Sequence, residues 1–317
     1  MTSYQYPGLI VGVWTSAHAF VQAFGVGDLA TAAPLSTSDY VRIGSITKSF
    51  TATLILQLIH QGKLSLDDKL SRFEPQIPHA SSITIRELLN HTSGLQSIAP
   101  AIVEQILSDP HKPVSPRRVI AATAALPLLS APGSTYNYSN TGYLILGEVA
   151  SKLSGTDLGS LIDRRILAPL ELRQTAYAAG SILPSPAAHG YAIVNGQHID
   201  TTHWDFAWAD GAAAMVSTLS DLHRYGQALA TGDGLLTPQT QRQRLRFVPT
   251  NKPGLSYGLG IFRYASFLGH SNDAPGYNSV MVYSPSLRTT VIVLGTTSPL
   301  ENTPPQTTET RSISCAN

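Results

Sequence analysis

RIGSITKSFTATLILQLI occupies residues 42–59, and the architecture turns on how it is read. Phe50, Ala52, Leu54, Ile55, Leu56, Leu58 and Ile59 spread round nearly the whole circumference of a helix at about 3.6 residues per turn. A helix that is apolar on all sides is buried. Yet Lys48 stands in its first turn, three residues after Ser45. That spacing places the two side chains on one face. The helix therefore carries an amine and a hydroxyl together to the edge of a core.

On the N-terminal side of this helix, LIVGVWT and HAFVQAF are β-rich runs separated by Ser16-Ala17, the pattern of a hairpin. On its C-terminal side, past Gly62, the chain reads as helices and loops: ITIRELLNHTSG, VEQILSD, RRVIAATAAL, TGYLILGEVASKLSG and SLIDRRILAPL. Residues 181–203 are rich in Pro and Gly and read as irregular. MVSTLSDLHRYGQAL opens with Ser and Thr suited to capping and reads as a helix. After Gly254 strand patterns return in YGLGIFRY, SFLGHS, SVMVYS and TTVIVLG. The expectation is an α+β fold: one antiparallel sheet built from both chain ends and flanked by helices, with a mostly helical second lobe. Residues 1–297 would form a single domain. Its sheet lobe would span about 1–62 and 210–297, its helical lobe about 63–209. Residues 298–317, polar and rich in Pro and Thr, read as a poorly ordered tail.

Composition narrows the function. The chain has 317 residues, 13% of them charged, with a formal net charge of +1. That balance leaves no electrostatic footprint for nucleic acid. No run approaches the roughly 18 apolar residues of a membrane-spanning helix, so no integral membrane segment is expected. The single Cys315 excludes an internal disulfide and a thiolate metal cluster. No H-E-x-x-H or C-x-x-C motif is present, so no metal or cofactor is expected. Gly25-Val26-Gly27 lacks the third glycine of a dinucleotide loop. No G-x-S-x-G surrounds any serine, which argues against an α/β-hydrolase elbow. MTSYQYPGLIVGVWT has neither a basic n-region nor a small-residue cleavage site. The chain is therefore read either as retained in the cell or as one whose signal has been removed.

Three short stretches bear on chemistry. Ser45-Ile46-Thr47-Lys48 is the one S-x-x-K match among 33 serines and six lysines. Chance would supply about 0.6 matches, so structural context has to decide. A serine hydroxyl is a poor nucleophile until a base takes its proton. Burial and the positive end of a helix dipole both lower a lysine's pKa toward that role. The same helix start offers the Ser45 backbone N–H to a developing oxyanion. A capping Ser45 beside a snorkelling Lys48 is the alternative. Tyr138-Ser139-Asn140 follows the Ala131-Pro132-Gly133 turn and precedes a helix; alone it is an ordinary helix entry. Gly269-His270-Ser271-Asn272 ends a strand-like run, and a lone histidine there is commonly structural. Trp208, in WDFAWADG, is a candidate pocket residue or a core aromatic, and His91, in LLNHTSGL, reads as structural.

Taken in order, S-x-x-K, Y-x-N about ninety residues later and a histidine on a late strand resemble the penicillin-recognising serine enzymes, in the branch of class C β-lactamases, DD-carboxypeptidases, D-aminopeptidases and related esterases. GKLSLDDKL, YSNTGYLILGEV, MVSTLSDL, YGLGIF and GHSNDAPGY fit the same pattern, which extends from about Pro7 to Thr297. The resemblance implies a β-lactamase/transpeptidase-like fold and an acyl-serine hydrolase, a DD-carboxypeptidase-like D-peptidase or an esterase. It casts Ser45 as nucleophile, Lys48 as its base and Tyr138 as the proton donor to the leaving group. Asn140, His270, Ser271, Asn272 and Trp208 would bind substrate, and the N–H groups of Ser45 and Asp273 would form the oxyanion hole. Its partners would be small molecules or peptides, with β-lactams as candidate acylating ligands. An acyltransferase using the same site and a non-catalytic peptide- or β-lactam-binding relative are the alternatives. Family members that act on the cell wall are exported.

The chain departs from the pattern at Asn272 and Asp273, in its final stretch, and in showing no export signal. Asn272 stands at the family's glycine, where its side chain is expected to crowd an extended substrate and favour small flexible esters over rigid β-lactams. Asp273 beside it is expected to bring a carboxylate near the developing negative charge. The family's closing helix is also poorly matched by SPLENTPPQTTETRSISCAN.

Overall fold

The computed structural model describes residues 6–300. In chain order the strands are β1 (Gly8–Trp14), β2 (Ala19–Gly25), β3 (Val41–Arg42), β4 (Ala176–Tyr177), β5 (Tyr191–Val194), β6 (Gln197–Asp200), β7 (Met215–Ser217), β8 (Val248–Pro249), β9 (Leu255–Tyr257), β10 (Phe262–Tyr264), β11 (Phe267–Ala274), β12 (Tyr277–Ser284), β13 (Thr289–Gly295) and β14 (Thr297–Pro299). The helices are α1 (Thr47–His60), α2 (Ile85–Leu89), α3 (Pro100–Ser108), α4 (Pro116–Ala124), α5 (Asn140–Ser154), α6 (Leu158–Ile162), α7 (Asp210–Ala213), α8 (Leu219–Thr231) and α9 (Pro238–Arg244).

The eight-stranded sheet runs β2-β1-β13-β12-β11-β10-β9-β8, antiparallel throughout. Both ends of the chain meet where β1 pairs with β13, Ile10 opposite Leu294. Alternate residues of a strand face opposite sides. Ile10, Met281, Ile292 and Leu294 share the inner face and are fully buried. Helix α8 covers that face, and α1 packs among α5, α6, α7 and α9. Its apolar circumference is thereby satisfied: the run from Thr47 to Leu56 is buried without a break. On the opposite face of the sheet, Phe20 and Phe24 of β2 are about half exposed, at 51% and 48%.

The sequence reading and the structure differ in four places. A 3₁₀ turn, Gly44–Ile46, precedes α1, so Ser45 sits at the entry rather than inside the helix. Met215–Ser217 is strand β7, held between β3 and β4, and α8 starts only after Thr218. Residues 181–203 contain the β5–β6 hairpin. Its turn is Asn195-Gly196, with both residues at positive φ, the dipeptide that most strongly marks such turns. Residues 298–300, read as tail, are engaged: β14 pairs in parallel with β5, and Leu300 N–H donates to Ile193 O. The remainder of the expected tail and any closing helix fall outside the described residues. Among the described residues no helix is long and apolar enough to cross a membrane.

Candidate active site

Ser45 is the one half-buried residue in an otherwise buried run, Val41 to Phe50. Gly44 before it has φ +41°, a region an L side chain rarely adopts. The kink brings the serine out of the core at the mouth of α1. The first N–H groups of a helix lack intrahelical acceptors. Here the Ser45 N–H donates to Asn272 Oδ1 at 3.0 Å.

Lys48 is fully buried. Its Nζ donates to Asn140 Oδ1 at 2.7 Å and to Ala212 O at 3.1 Å, and lies 3.0 Å from Ser45 Oγ. The first two partners are carbonyl oxygens and only accept. A neutral amine has two N–H bonds and one lone pair. In a neutral amine with both hydrogens on those carbonyls the lone pair would face the Ser45 hydroxyl, whereas a charged ammonium donates its third hydrogen to that oxygen. The Ala212 carbonyl comes from α7, a backbone contribution that no residue type advertises in the sequence.

The Tyr138–Asn140 segment closes the other wall. Its tyrosine ring centre lies 4.7 Å from Lys48 Nζ. Ser139 caps α5 by accepting from Gly142 N–H. Asn140, expected to hold the substrate's amide, also makes contacts inside the protein. Its Oδ1 takes the Lys48 hydrogen and its Nδ2 donates to Ser97 Oγ at 2.9 Å. These bonds use one Oδ1 lone pair and one of the two Nδ2 hydrogens, so Asn140 can orient Lys48 and still donate to a substrate. Ser97 was not singled out in the sequence; it also receives, through its carbonyl, the Thr141 hydroxyl at 2.6 Å.

Two buried histidines back this wall. His91 Nδ1 accepts the Ser139 N–H at 3.1 Å, and its ring lies 4.2 Å from that of Tyr138. Its pKa is held well below the ordinary histidine value, first by burial, then by Lys48 and His270. The residue read from sequence as structural thus braces the tyrosine. His270, on β11, contacts Ser271 O through Nδ1 at 2.7 Å and Tyr257 Oη through Nε2 at 2.8 Å. A carbonyl cannot donate, so Nδ1 carries the proton and Nε2 accepts from the tyrosine. Burial, followed by Lys48, pushes the His270 pKa down to about 3. At neutral pH it presents no positive charge to a substrate, and both its nitrogens are occupied.

Strand β11 supplies the edge along which a substrate could lie. The Pro275–Gly276 turn makes Ala274 and Tyr277 the closing pair of the β11–β12 hairpin. In antiparallel pairing, hydrogen-bonded and non-bonded pairs alternate. Ser271 and Asp273 therefore direct their backbone groups away from β12. Strand β10 covers that edge only as far as Gly269, so it is open at Ser271 and Asp273. Ser271 O already takes the His270 ring.

The side chains of the next two residues part company. The Asp273 carboxyl turns to the opposite face from Asn272 and accepts from Ser298 Oγ at 2.5 Å. Burial raises its pKa. Expected beside the developing charge, it is instead engaged with β14. Asn272, expected to stand against the substrate, is turned inward and is 1% exposed. Trp208 is half-buried, its ring 5.7 Å from Phe206, in a small cluster with Ala213 and Ala274. Arg42, which the sequence reading passed over, is buried against the Phe206 ring and donates to Ala178 O and Gly180 O. It ties that segment to the strand leading into Ser45.

Comparison with known proteins bears on the family and the fold. The family model described as Beta-lactamase matches residues 1–313. Penicillin-binding protein 4* of Bacillus subtilis (strain 168) is 27% identical over 312 residues, covering 92% of this chain and 68% of that protein. The matches to four other curated relatives cover between 45% and 61% of those proteins' lengths. Among solved structures, a D-stereospecific amidohydrolase from Streptomyces sp. superposes with a TM-score of 0.84 at 27% identity, covering 93% of this chain and 90% of that one. The D-amino acid amidase from Ochrobactrum anthropi SV3, complexed with L-phenylalanine amide, superposes with a TM-score of 0.82 at 25% identity, covering 93% and 88%. With a family model matched along nearly its whole length and the fold shared with these enzymes, the chain belongs to the Beta-lactamase family.

Proposed function

We propose that this protein is an acyl-serine hydrolase of D-amino-acid amides, D-peptides or small esters, with Ser45 as the nucleophile. The observation that carries the reading is the Lys48 amine: two acceptor-only carbonyls bind it, and Ser45 Oγ occupies the third position at 3.0 Å. In acylation, Ser45 Oγ forms a bond to the substrate carbonyl carbon as its proton passes to Lys48 Nζ. The bond from that carbon to nitrogen or oxygen then breaks. Tyr138, whose ring adjoins the amine, delivers a proton to the leaving group and regains one from the Lys48 ammonium. Water attacks the resulting ester, with a proton returning to Ser45. The open edge at Ser271 and Asp273 gives an extended acyl chain backbone groups to pair with. The amidase and amidohydrolase relatives favour amides of D-amino acids as the substrate class.

Mass spectrometry after treatment with a fluorophosphonate or benzylpenicillin tests the reading. One covalent adduct on Ser45 is expected, absent in Ser45→Ala. A screen of D-phenylalaninamide, D-Ala-D-Ala peptides, p-nitrophenyl esters and cephalosporins then ranks the substrates. Stoichiometric labelling of Ser45→Ala would show another nucleophile, and absence of any adduct or turnover would leave a binding protein.

A further inference from the structure

The Ser45 N–H has a single hydrogen, and Asn272 Oδ1 accepts it at 3.0 Å. We propose that Asn272 is a built-in plug of the oxyanion site: its side-chain carbonyl sits on the Ser45 N–H where a substrate's carbonyl oxygen would bind, so acylation by any substrate waits on its displacement. This rests on Ser45 being the nucleophile.

Three features make the plug specific. The amide is fixed from its other end, because Asn272 Nδ2 donates to Tyr277 O at 2.9 Å. Flipping it would set Oδ1 against that carbonyl, so the acceptor end stays on Ser45. The space is matched: a Cβ built on Gly44 would fall on Asn272 Oδ1, and only glycine before the serine accommodates the asparagine. The N–H so occupied would otherwise be an unpaired donor at a helix start, with no side-chain cap from Ile43. Satisfying it stabilises the resting protein and makes displacement costly.

The penalty is independent of substrate shape. Asn272 is buried against Gly44 and Ser45 and does not reach the open edge at Ser271 and Asp273. A small ester and a fused β-lactam meet the same obstacle, since each needs the same N–H. One oxyanion donor is worth about a hundredfold to a thousandfold in rate. Until the plug moves, the Asp273 N–H is the one donor left.

The test compares the wild-type chain with Asn272→Gly and Asn272→Ala, using stopped-flow acylation by p-nitrophenyl acetate and by benzylpenicillin. Amide hydrogen exchange at Ser45 is followed in parallel. The plug predicts faster acylation by both substrates in both variants, by a similar factor of up to about a hundred to a thousand, with faster exchange at Ser45. Unchanged or slower acylation in the variants would overturn it, and so would a gain confined to penicillin, which is the signature of crowding. Wild-type protein alone also decides the matter if the variants do not fold, because rapid exchange at the Ser45 amide would show that nothing occupies it. Labelling of wild-type Ser45 by a fluorophosphonate without any gain in the variants removes the plug alone. Absence of labelling in all three proteins removes the nucleophile assignment itself.

Discussion

His270 makes the stability of this protein depend on pH, and replacing it with glutamine isolates the effect. The ring is buried, its Nδ1 proton is on Ser271 O, and its Nε2 accepts from Tyr257. Its pKa falls from the ordinary 6.5 to about 3, chiefly through burial. Between those values the unfolded chain binds a proton at this residue and the folded chain does not. Stability therefore rises with pH across that window and falls as pH drops below the unfolded value. Each pH unit is worth about 1.4 kcal/mol per proton. Lowering the pH from 7 to 5 thus costs about 2 kcal/mol from His270 alone. His91, also depressed by burial, acts in the same direction. Asp210 and Asp273, whose carboxyls burial raises, act in the opposite one, so the total slope does not isolate any residue. The difference between wild type and His270→Gln does. Glutamine offers the Tyr257 hydroxyl an acceptor but does not titrate. Urea unfolding at pH 7 and pH 5 should show the wild type losing about 2 kcal/mol more than the variant. Parallel losses would mean that His270 is protonated or solvated in the folded state and that the tautomer assignment fails.

The remaining predictions concern the site. Lys48→Met should slow acylation by about a hundredfold or more, as loss of a general base does, while Tyr138→Phe should also slow deacylation, so that acyl-enzyme accumulates. Stopped-flow burst kinetics with one ester separates the two, and a variant with wild-type rates drops out of the mechanism. Gly44→Ala combines a positive-φ cost of about 1–2 kcal/mol with displacement of the Asn272 amide. Paired with Asn272→Gly, it should be less destabilising than the sum of the single changes by about 1 kcal/mol or more, and urea unfolding of the four proteins checks this. Additive losses would separate Gly44 from Asn272.

Much of this protein was legible in the sequence because periodicity and local chemistry carry it. A helix apolar all round, strands at both ends of the chain and helices between them specified the α+β sheet, since burial requires those patterns whatever the loops do. Ser45 and Lys48 were visible together because i and i+3 are neighbours within one helical turn. The Asn195-Gly196 hairpin was equally legible and was passed over amid the surrounding Pro and Gly. Tertiary structure alone decided the rest, because it depends on contacts between residues far apart in the chain. Ala212 contributes a backbone carbonyl, which every residue has, so only the position of α7 reveals that it binds Lys48. Asn140 looks like a substrate ligand alone until Lys48 and Ser97 are seen to hold its amide as well. His91 braces Ser139 from 48 residues away. For Asn272 the sequence showed only that a side chain replaces a glycine. Which way it turns depends on the empty space at Gly44 and the unpaired Ser45 N–H, 227 residues earlier in the chain. A side chain's type is local, but its direction is set by the nearest unsatisfied partner, and the fold alone brings that partner within reach.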